Sequence, residues 1–513
     1  MSSKSKLLAK SSALRISLFI TNIVIAFLLM PFIIHFLGDR MYGLWVVVGS
    51  VLGYYWLVDF GISTAVERGI SRAVGKKDNY EINIVVNTGL FLYSLGGLTI
   101  LLISAIVAYA MPYFINNISD VIIFRQVFII LGLSFAFNFP MRVFSGILRS
   151  FLRFDMVNIA NFGLVILRAS LIYCFLKMGY GIIALAWITL GTDVVFRVTL
   201  YILVRKIYPQ LRFSKSLIQI SKIKGLIKYS SFVFMNQVSQ QMRFNIDNLV
   251  IVAFMGLSHV TLYSIASRLI RYFMNFMSNA LGMMMPLFSR YEGSGNYDAI
   301  REKFVFITKV NGYLSILVAS VLVIFGRFFI ERWMGEDYIY AYNILVVLII
   351  GILGGQMQRS VFEVLHGISK HQVSAVVNLG EAFSNVILSI LLVKRFGLMG
   401  VAFGTTIPLL IKLFLFLPQH ICSVLNISLR KYYMECLIGV VARCALFVGI
   451  PYLCYQSFIR PNYLNIFLLA CLQSCIFMIL VYILGFKHSE NQMIRGVLKG
   501  TKIAKFIPKA LLA

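Results

Sequence analysis

Apolar residues run along this chain in long blocks, and polar positions fall either between the blocks or at helical spacing inside them. Fourteen blocks are legible, at about 14–37, 42–66, 82–112, 122–147, 157–178, 181–206, 229–255, 258–288, 304–330, 340–366, 371–394, 399–424, 432–456 and 462–486. Crossing a ~30 Å hydrocarbon core takes roughly 20 apolar residues, so the pattern predicts an all-α polytopic membrane protein of about fourteen transmembrane helices. A backbone in lipid must satisfy its own hydrogen bonds, which a helix does within one segment. The first block has basic flanks and no small-residue cleavage site, and is read as an uncleaved spanning helix.

Polar residues inside the blocks recur every three or four positions, the spacing of one helix face. Asn236, Gln240, Arg243 and Asp247 form such a stripe in the seventh block; Ser264, Arg268, Arg271 and Asn275 form another in the eighth. Thr189, Asp193 and Arg197 mark the sixth, Asn161 and Arg168 the fifth, and Asn378, Glu381 and Asn385 the eleventh. Eight basic residues (Arg168, Arg197, Arg243, Arg268, Arg271, Arg359, Lys412 and Arg443) are placed inside the membrane with five acids, Asp59, Asp193, Asp247, Glu363 and Glu381. Each charge costs ~2.5–3.5 kcal/mol at a helix centre, so most are expected to face one another or water.

Asp193 with Arg197, Arg243 with Asp247, and Arg359 with Glu363 lie one turn apart and can neutralise each other as packing ion pairs. Arg268 and Arg271 are like charges on one face, which repel unless an anion or a carboxylate from another helix sits between them; a bound anion is the favoured reading. Candidate substrate-binding residues are therefore Arg168, Arg243, Arg268, Arg271, Arg359 and Lys412, and candidate ion-coupling residues are Asp247 and Glu381. Asp59, near Glu67 and Arg68, is expected to be structural.

Composition and charge settle the setting. With 60% hydrophobic and 13% charged residues the chain is too apolar for a soluble domain. Its net charge of +28 first suggests nucleic acid, but the basic residues are sorted by block. Of the 47 Lys and Arg, 31 lie in the two termini and every second loop, against eight in the other loops. Short cytoplasmic loops collect Lys and Arg, so both termini are expected in the cytoplasm, with anionic membrane lipids as partners and no nucleic acid. The expected organisation is an N-lobe over 1–206, a basic interfacial linker over 207–228 resembling a short amphipathic helix, a C-lobe over 229–424, a helix pair over 425–486 and a basic tail over 487–513. The lobes look duplicated: Arg149, Arg153, Asn161, Gly163 and Lys177 recur as His366, Lys370, Asn378, Gly380 and Lys394. Gly38 matches Gly256, and Gly179 matches Gly397. The repeats are six helices apart, so both enter from one side, as parallel transporter repeats do.

Neither the seven cysteines nor the six histidines have metal-ligand spacing. Phosphate-binding loops, nucleophile elbows and clustered catalytic sets are missing too, so no cofactor is expected and the chain is not read as an enzyme.

The run Phe36-Leu37-Gly38-Asp39-Arg40-Met41-Tyr42-Gly43-Leu44-Trp45 is followed by Asp59-Phe60-Gly61, Ala65 and Arg68. Gly146-Ile147-Leu148 then leads to Phe154-Asp155, and Asp247-Asn248 is followed by Gly256, Tyr263 and Ala266. In order and spacing these motifs resemble the Wzx-type polysaccharide flippases of the polysaccharide transporter family. That family shares a superfamily with multidrug and toxin extrusion transporters and the lipid II flippase. The resemblance implies two six-helix lobes with alternating access, in the bacterial inner membrane. Its implied substrate is an undecaprenyl-diphosphate-linked oligosaccharide for O-antigen, capsule or exopolysaccharide, carried from the cytoplasmic to the outer leaflet. It also implies proton or other ion coupling, and a polysaccharide polymerase or chain-length regulator as partner. Many O-antigen flippases have twelve helices; the last two here resemble those that accommodate the lipid tail in the lipid II flippase. A multidrug exporter of the same fold is the alternative, followed by a membrane polysaccharide polymerase or ligase.

Overall fold

A computed structural model describes residues 3–110, 117–219, 231–281, 284–368, 370, 372–445, 462–487 and 490–492. Every regular element among them is helical. The first helices are α1 (Ser3–Gly53), α2 (Ile62–Lys76), α3 (Asn79–Ala110), α4 (Ile118–Ser150), α5 (Phe154–Lys177) and α6 (Ile182–Ile207). Next come α7 (Ser231–Met255), α8 (Leu257–Leu281), α9 (Met285–Gly293), α10 (Tyr297–Met334), α11 (Tyr340–Met357) and α12 (Arg359–Gly367). The last are α13 (Gln372–Ile411), α14 (Leu417–Leu425), α15 (Leu429–Tyr432) and α16 (Tyr463–Leu484).

Among the described residues, nine helical segments are long and apolar enough to cross a membrane. Ser17–Asp59 joins the first two predicted blocks, and Gln372–Leu425 joins the eleventh and twelfth. Both are bent at a glycine: Gly38 at φ 74° and Gly397 at φ 56°. The seventh and eighth blocks are helices, α7 and α8, but too polar to count among the nine. The thirteenth lies partly outside the described residues, as do Arg460, Cys454, His371, His488 and the tail from 493. The count of fourteen is thus not fixed, although the all-helical membrane architecture is.

Gly179 (φ 84°) ends α5 and Gly256 (φ 91°) separates α7 from α8. The four glycines matched in the sequence share one backbone role. Each adopts the left-handed conformation that breaks a helix sharply and that side chains with a Cβ resist.

Packing divides the chain into two compact units: Met1–Ser264 with Asn378–Val401, and Ile265–Val377 with Ala402–Ala513. In the first, α3 and α4 pack along their length. Gly97 allows this, because a Cβ there would stand 2.7 Å from the Ala136 carbonyl oxygen. Small residues at such contacts are how membrane helices approach without a hydrophobic drive between them. In the second unit, α10 packs against α11 and α16 around Ile324, Phe325 and Ile466. The opposite face of α16 exposes Leu464, Leu468, Leu472, Ile476, Ile479 and Ile483. An apolar stripe of that length is incompatible with water and suits lipid.

The start of the linker is not the expected amphipathic helix. It has no regular structure over 211–214 and 218–219, with Ser214 and Ile218 extended, and one 3₁₀ turn at Lys215–Leu217; 220–230 lies outside the described residues. Asn83, Asn87 and Thr88, on one face of α3, explain the difference. Asn83 accepts from Arg212 N (2.7 Å) and donates to Gln210 O (3.2 Å). Asn87 accepts from Ser214 N (3.0 Å) and donates to Arg212 O (2.8 Å), and Thr88 Oγ1 accepts from Gln219 N (2.9 Å). These side chains take the backbone groups that an intra-helical ladder would otherwise use.

A charged network inside the membrane helices

In the first unit, α4 presents Ser134, Asn138 and Arg142 at successive fours, hence on one face. Ser134 Oγ (2.7 Å) and Asn138 Nδ2 (2.9 Å) both donate to Asp193 Oδ2 of α6. Arg168 of α5 donates to Asp193 Oδ1 at 2.5 Å, to Thr192 Oγ1 at 2.9 Å and to the Thr189 carbonyl at 3.5 Å. The local pair of Asp193 with Arg197 does not form. Two neighbouring helices already saturate the Asp193 carboxylate, and Arg197 Nε donates instead to Asn138 Oδ1 at 2.7 Å. Arg168, which has no acid one turn away, finds its partner across a helix contact.

Beside this lies a second cluster. Asp59 accepts from the Ser63 hydroxyl (2.5 Å) and from Arg142 Nη1 (3.5 Å), and the Tyr93 hydroxyl donates to Ser63 Oγ (3.1 Å). Arg142 sits between the Trp56 and Phe139 rings, 4.1 and 4.4 Å from their centroids. Asp59 thus anchors the first turn of α2 and holds Arg142, in keeping with a structural role. Arg142, not among the eight basic residues placed inside the membrane by sequence, is interior to α4. Its place inside the 122–147 block was the available signal.

Arg243 of α7 also pairs across helices. Its Nε donates to Glu381 Oε1 at 2.8 Å and its Nη2 to Glu381 Oε2, a bidentate bridge with α13. Asp247, one turn away, remains within electrostatic reach of Arg243, while Glu381 offers both oxygens to the planar fork. Asp247 Oδ2 instead accepts from the Tyr263 hydroxyl at 2.5 Å. Asp247 and Glu381 are 3% and 5% exposed, and Asn378 and Asn385 are buried on the same helix as Glu381. Asn236 and Gln240 belong to α7, but their side chains lie outside the described set.

In the second unit, Arg268 and Arg271 are half-buried on α8, and Arg271 Nη2 lies 3.4 Å from Ser267 Oγ. Arg359 keeps its expected local partner, Glu363, at 4.0 Å and also donates to Ser278 Oγ at 2.9 Å. Lys412 is buried where the helix after α13 widens into a π turn. Arg443 donates to the Tyr313 hydroxyl (3.0 Å) and the Gly485 carbonyl (3.1 Å). One buried cation was missed by sequence: Lys309 of α10 meets Glu490 at 2.7 Å and Glu435 at 3.3 Å. Both acids lie far along the chain, and no local spacing announces them. Among the described residues, no group of His, Cys, Asp and Glu is arranged to hold a metal.

Outward apolar faces and cross-helix ion pairs define a multi-pass membrane protein, and its fold is that of a transporter. The architecture is similar to a solved lipid II flippase, MurJ, in an inward closed conformation, with TM-score 0.63 and 17% identity over 89% of this chain and 99% of that one. It is equally similar to an inward-facing multidrug resistance transporter of the MATE family, with TM-score 0.64 and 16% identity over 76% and 92%. The chain belongs to the Polysaccharide biosynthesis protein family, whose profile matches residues 51–343. A candidate O-antigen transporter of Shigella flexneri is 22% identical over 407 residues, 77% of this chain and 93% of the relative. Family and fold neighbours are transporters and flippases rather than enzymes.

Proposed function

We propose that this protein is a flippase for an undecaprenyl-diphosphate-linked oligosaccharide, moving it from the cytoplasmic to the outer leaflet of the bacterial inner membrane during surface polysaccharide assembly. Family membership supports a role in polysaccharide biosynthesis. The observation that carries the substrate class is charge: among the described residues, three guanidiniums of the α4–α6 network, Arg142, Arg168 and Arg197, share two carboxylates, Asp59 and Asp193. Guanidinium stays charged and binds phosphate oxygens through two parallel bonds. A cavity of surplus positive sign suits a diphosphate, whereas an exporter of cationic drugs calls for the reverse.

In this reading Arg268 and Arg271 contact the headgroup, with Arg168, Arg243, Arg359 and Lys412 as further contacts. Arg168 and Arg243 each hold a carboxylate, so substrate phosphate has to exchange with that internal counterion. Such exchange offers a route to ion coupling. A proton or metal ion neutralising Glu381 would release Arg243 for the substrate, and departure of the substrate would restore the pair. Asp247, bonded to Tyr263, is the second coupling candidate. Rocking of two lobes carries the headgroup while the polyprenyl tail stays in lipid. Both termini lie in the cytoplasm, and the partners are the enzymes that polymerise and set the length of the exported glycan.

Replacing both Arg268 and Arg271 with Gln tests the reading. The double variant is expected to insert at normal abundance and to lose surface polysaccharide, measured by glycan staining of cells complemented with each form. Normal polysaccharide in that variant contradicts the anion-binding role of the pair.

A further inference from the structure

Of the three guanidiniums in the α4–α6 network, one is held differently. Arg168 bridges Asp193, and Arg142 bridges Asp59. Arg197 makes no salt bridge among the described residues; its Nε donates to the neutral Asn138 Oδ1 at 2.7 Å, and the ring nearest its guanidinium is Phe196 at 5.2 Å. Neither terminal nitrogen of Arg197 donates to a described residue. Asn138 cannot supply the missing charge. Its Nδ2 donates to Asp193 Oδ2 at 2.9 Å, which fixes the amide with Oδ1 turned to Arg197.

Arg142 follows Asn138 by one turn of α4 and lies within electrostatic reach of Arg197, as do the cation Arg149 and the anion Asp193, whose carboxylate is bonded to Arg168. Two like charges, Arg142 held by Asp59 and Arg197 by Asn138, thus lie near each other inside helices long and apolar enough to cross a membrane. Charges there are costly unless paired, and they mark ligand pathways. The free edge of Arg197 presents two N–H groups side by side, the geometry that receives two oxygens of one phosphoryl group. The Trp56 indole stacked on Arg142 is half-exposed and leaves an open flank beside the cation.

We infer that Arg197, positioned by Asn138 and flanked by Arg142, is a phosphoryl-binding site in the first unit that receives the diphosphate of a lipid-linked substrate. The inference rests on the flippase reading for its ligand class, but it names residues outside the Arg268–Arg271 pair. Neither the stripe nor the charge count singled Arg197 out, because Asp193 one turn away offered it a partner that the structure gives to Arg168.

The test uses full-length protein in lipid nanodiscs, titrated calorimetrically with geranylgeranyl diphosphate, geranylgeraniol and inorganic pyrophosphate. Wild type should bind the prenyl diphosphate in preference to the alcohol. Arg197→Gln should weaken that binding about tenfold or more, and Arg197→Lys about threefold or more, since an ammonium is a point charge without the fork. Pyrophosphate binding with the same dependence on Arg197 supports the site and shows that the tail is dispensable. If the Gln variant is recovered unfolded, the Lys variant decides. Wild-type affinity in the folded variants overturns the site and leaves the flippase reading with Arg268 and Arg271. A wild type that binds neither phosphorylated probe, or binds the alcohol equally well, removes both.

Discussion

Asp193 receives donors from two neighbouring helices, and Glu381 receives the two-pronged bridge of Arg243. Both carboxylates are thereby matched to a cation from another helix rather than from their own. Removing one member of such a buried pair leaves the other charge uncompensated, at a cost of ~3–5 kcal/mol. Replacing both members with neutral isosteres costs far less. Glu381→Gln is therefore expected to lower thermal stability in detergent well below wild type, and Arg243→Gln in the same chain to recover most of the loss. Equal losses in the single and double variants would show that the bridge does not couple the two sites. Sequence spacing identified these charges but not their partners. A side chain one turn away always looks available, and only packing reveals that Ser134, Asn138 and Arg168 reach Asp193 first. Arg359 with Glu363 is the pair that spacing placed correctly, because both belong to α12 and no outside carboxylate competes for Arg359 among the described residues.

At the scale of elements, the helices were legible because an apolar block longer than a membrane is thick has one low-energy conformation. Their breaks were legible as well. Gly38, Gly179, Gly256 and Gly397, paired from a sparse internal match, all occupy left-handed turns between helices. What spacing could not supply was the depth of contact between helices. Gly97 looks like any membrane glycine in the sequence, yet its missing Cβ is what lets α3 approach the Ala136 backbone. Gly97→Ala is expected to separate α3 from α4 and to cost ~1–3 kcal/mol, in line with overpacking of a filled interior. A shift in the thermal midpoint of purified protein measures this, and an unchanged midpoint would show that the contact yields freely. Only the start of the linker departs from the expected helix, for a related reason; 220–230 lies outside the described residues. Its alternation of apolar and basic residues suits a helix in isolation, but Asn83 and Asn87 on α3 bind the backbone of residues 210–214 outside any helix.

At the scale of the whole molecule, charge acts twice. Most of the 47 basic residues lie between the apolar blocks, where they are expected to orient the chain and to meet anionic lipid. Eight are placed inside the helices by sequence against five acids, and in the proposed reading that surplus sets what the interior binds. The fold is shared by flippases and drug exporters, so the sign of that interior separates the alternatives. Translocation of a lipid-linked glycan between leaflets is the central claim, and proteoliposomes test it directly. Purified protein would be reconstituted with a fluorescent polyprenyl-diphosphate oligosaccharide in both leaflets, and the probe quenched from outside. The account predicts that vesicles containing protein lose the protected inner-leaflet fraction faster than protein-free vesicles. The same protein should not accelerate ethidium movement. An unchanged protected fraction, or acceleration confined to ethidium, would contradict it.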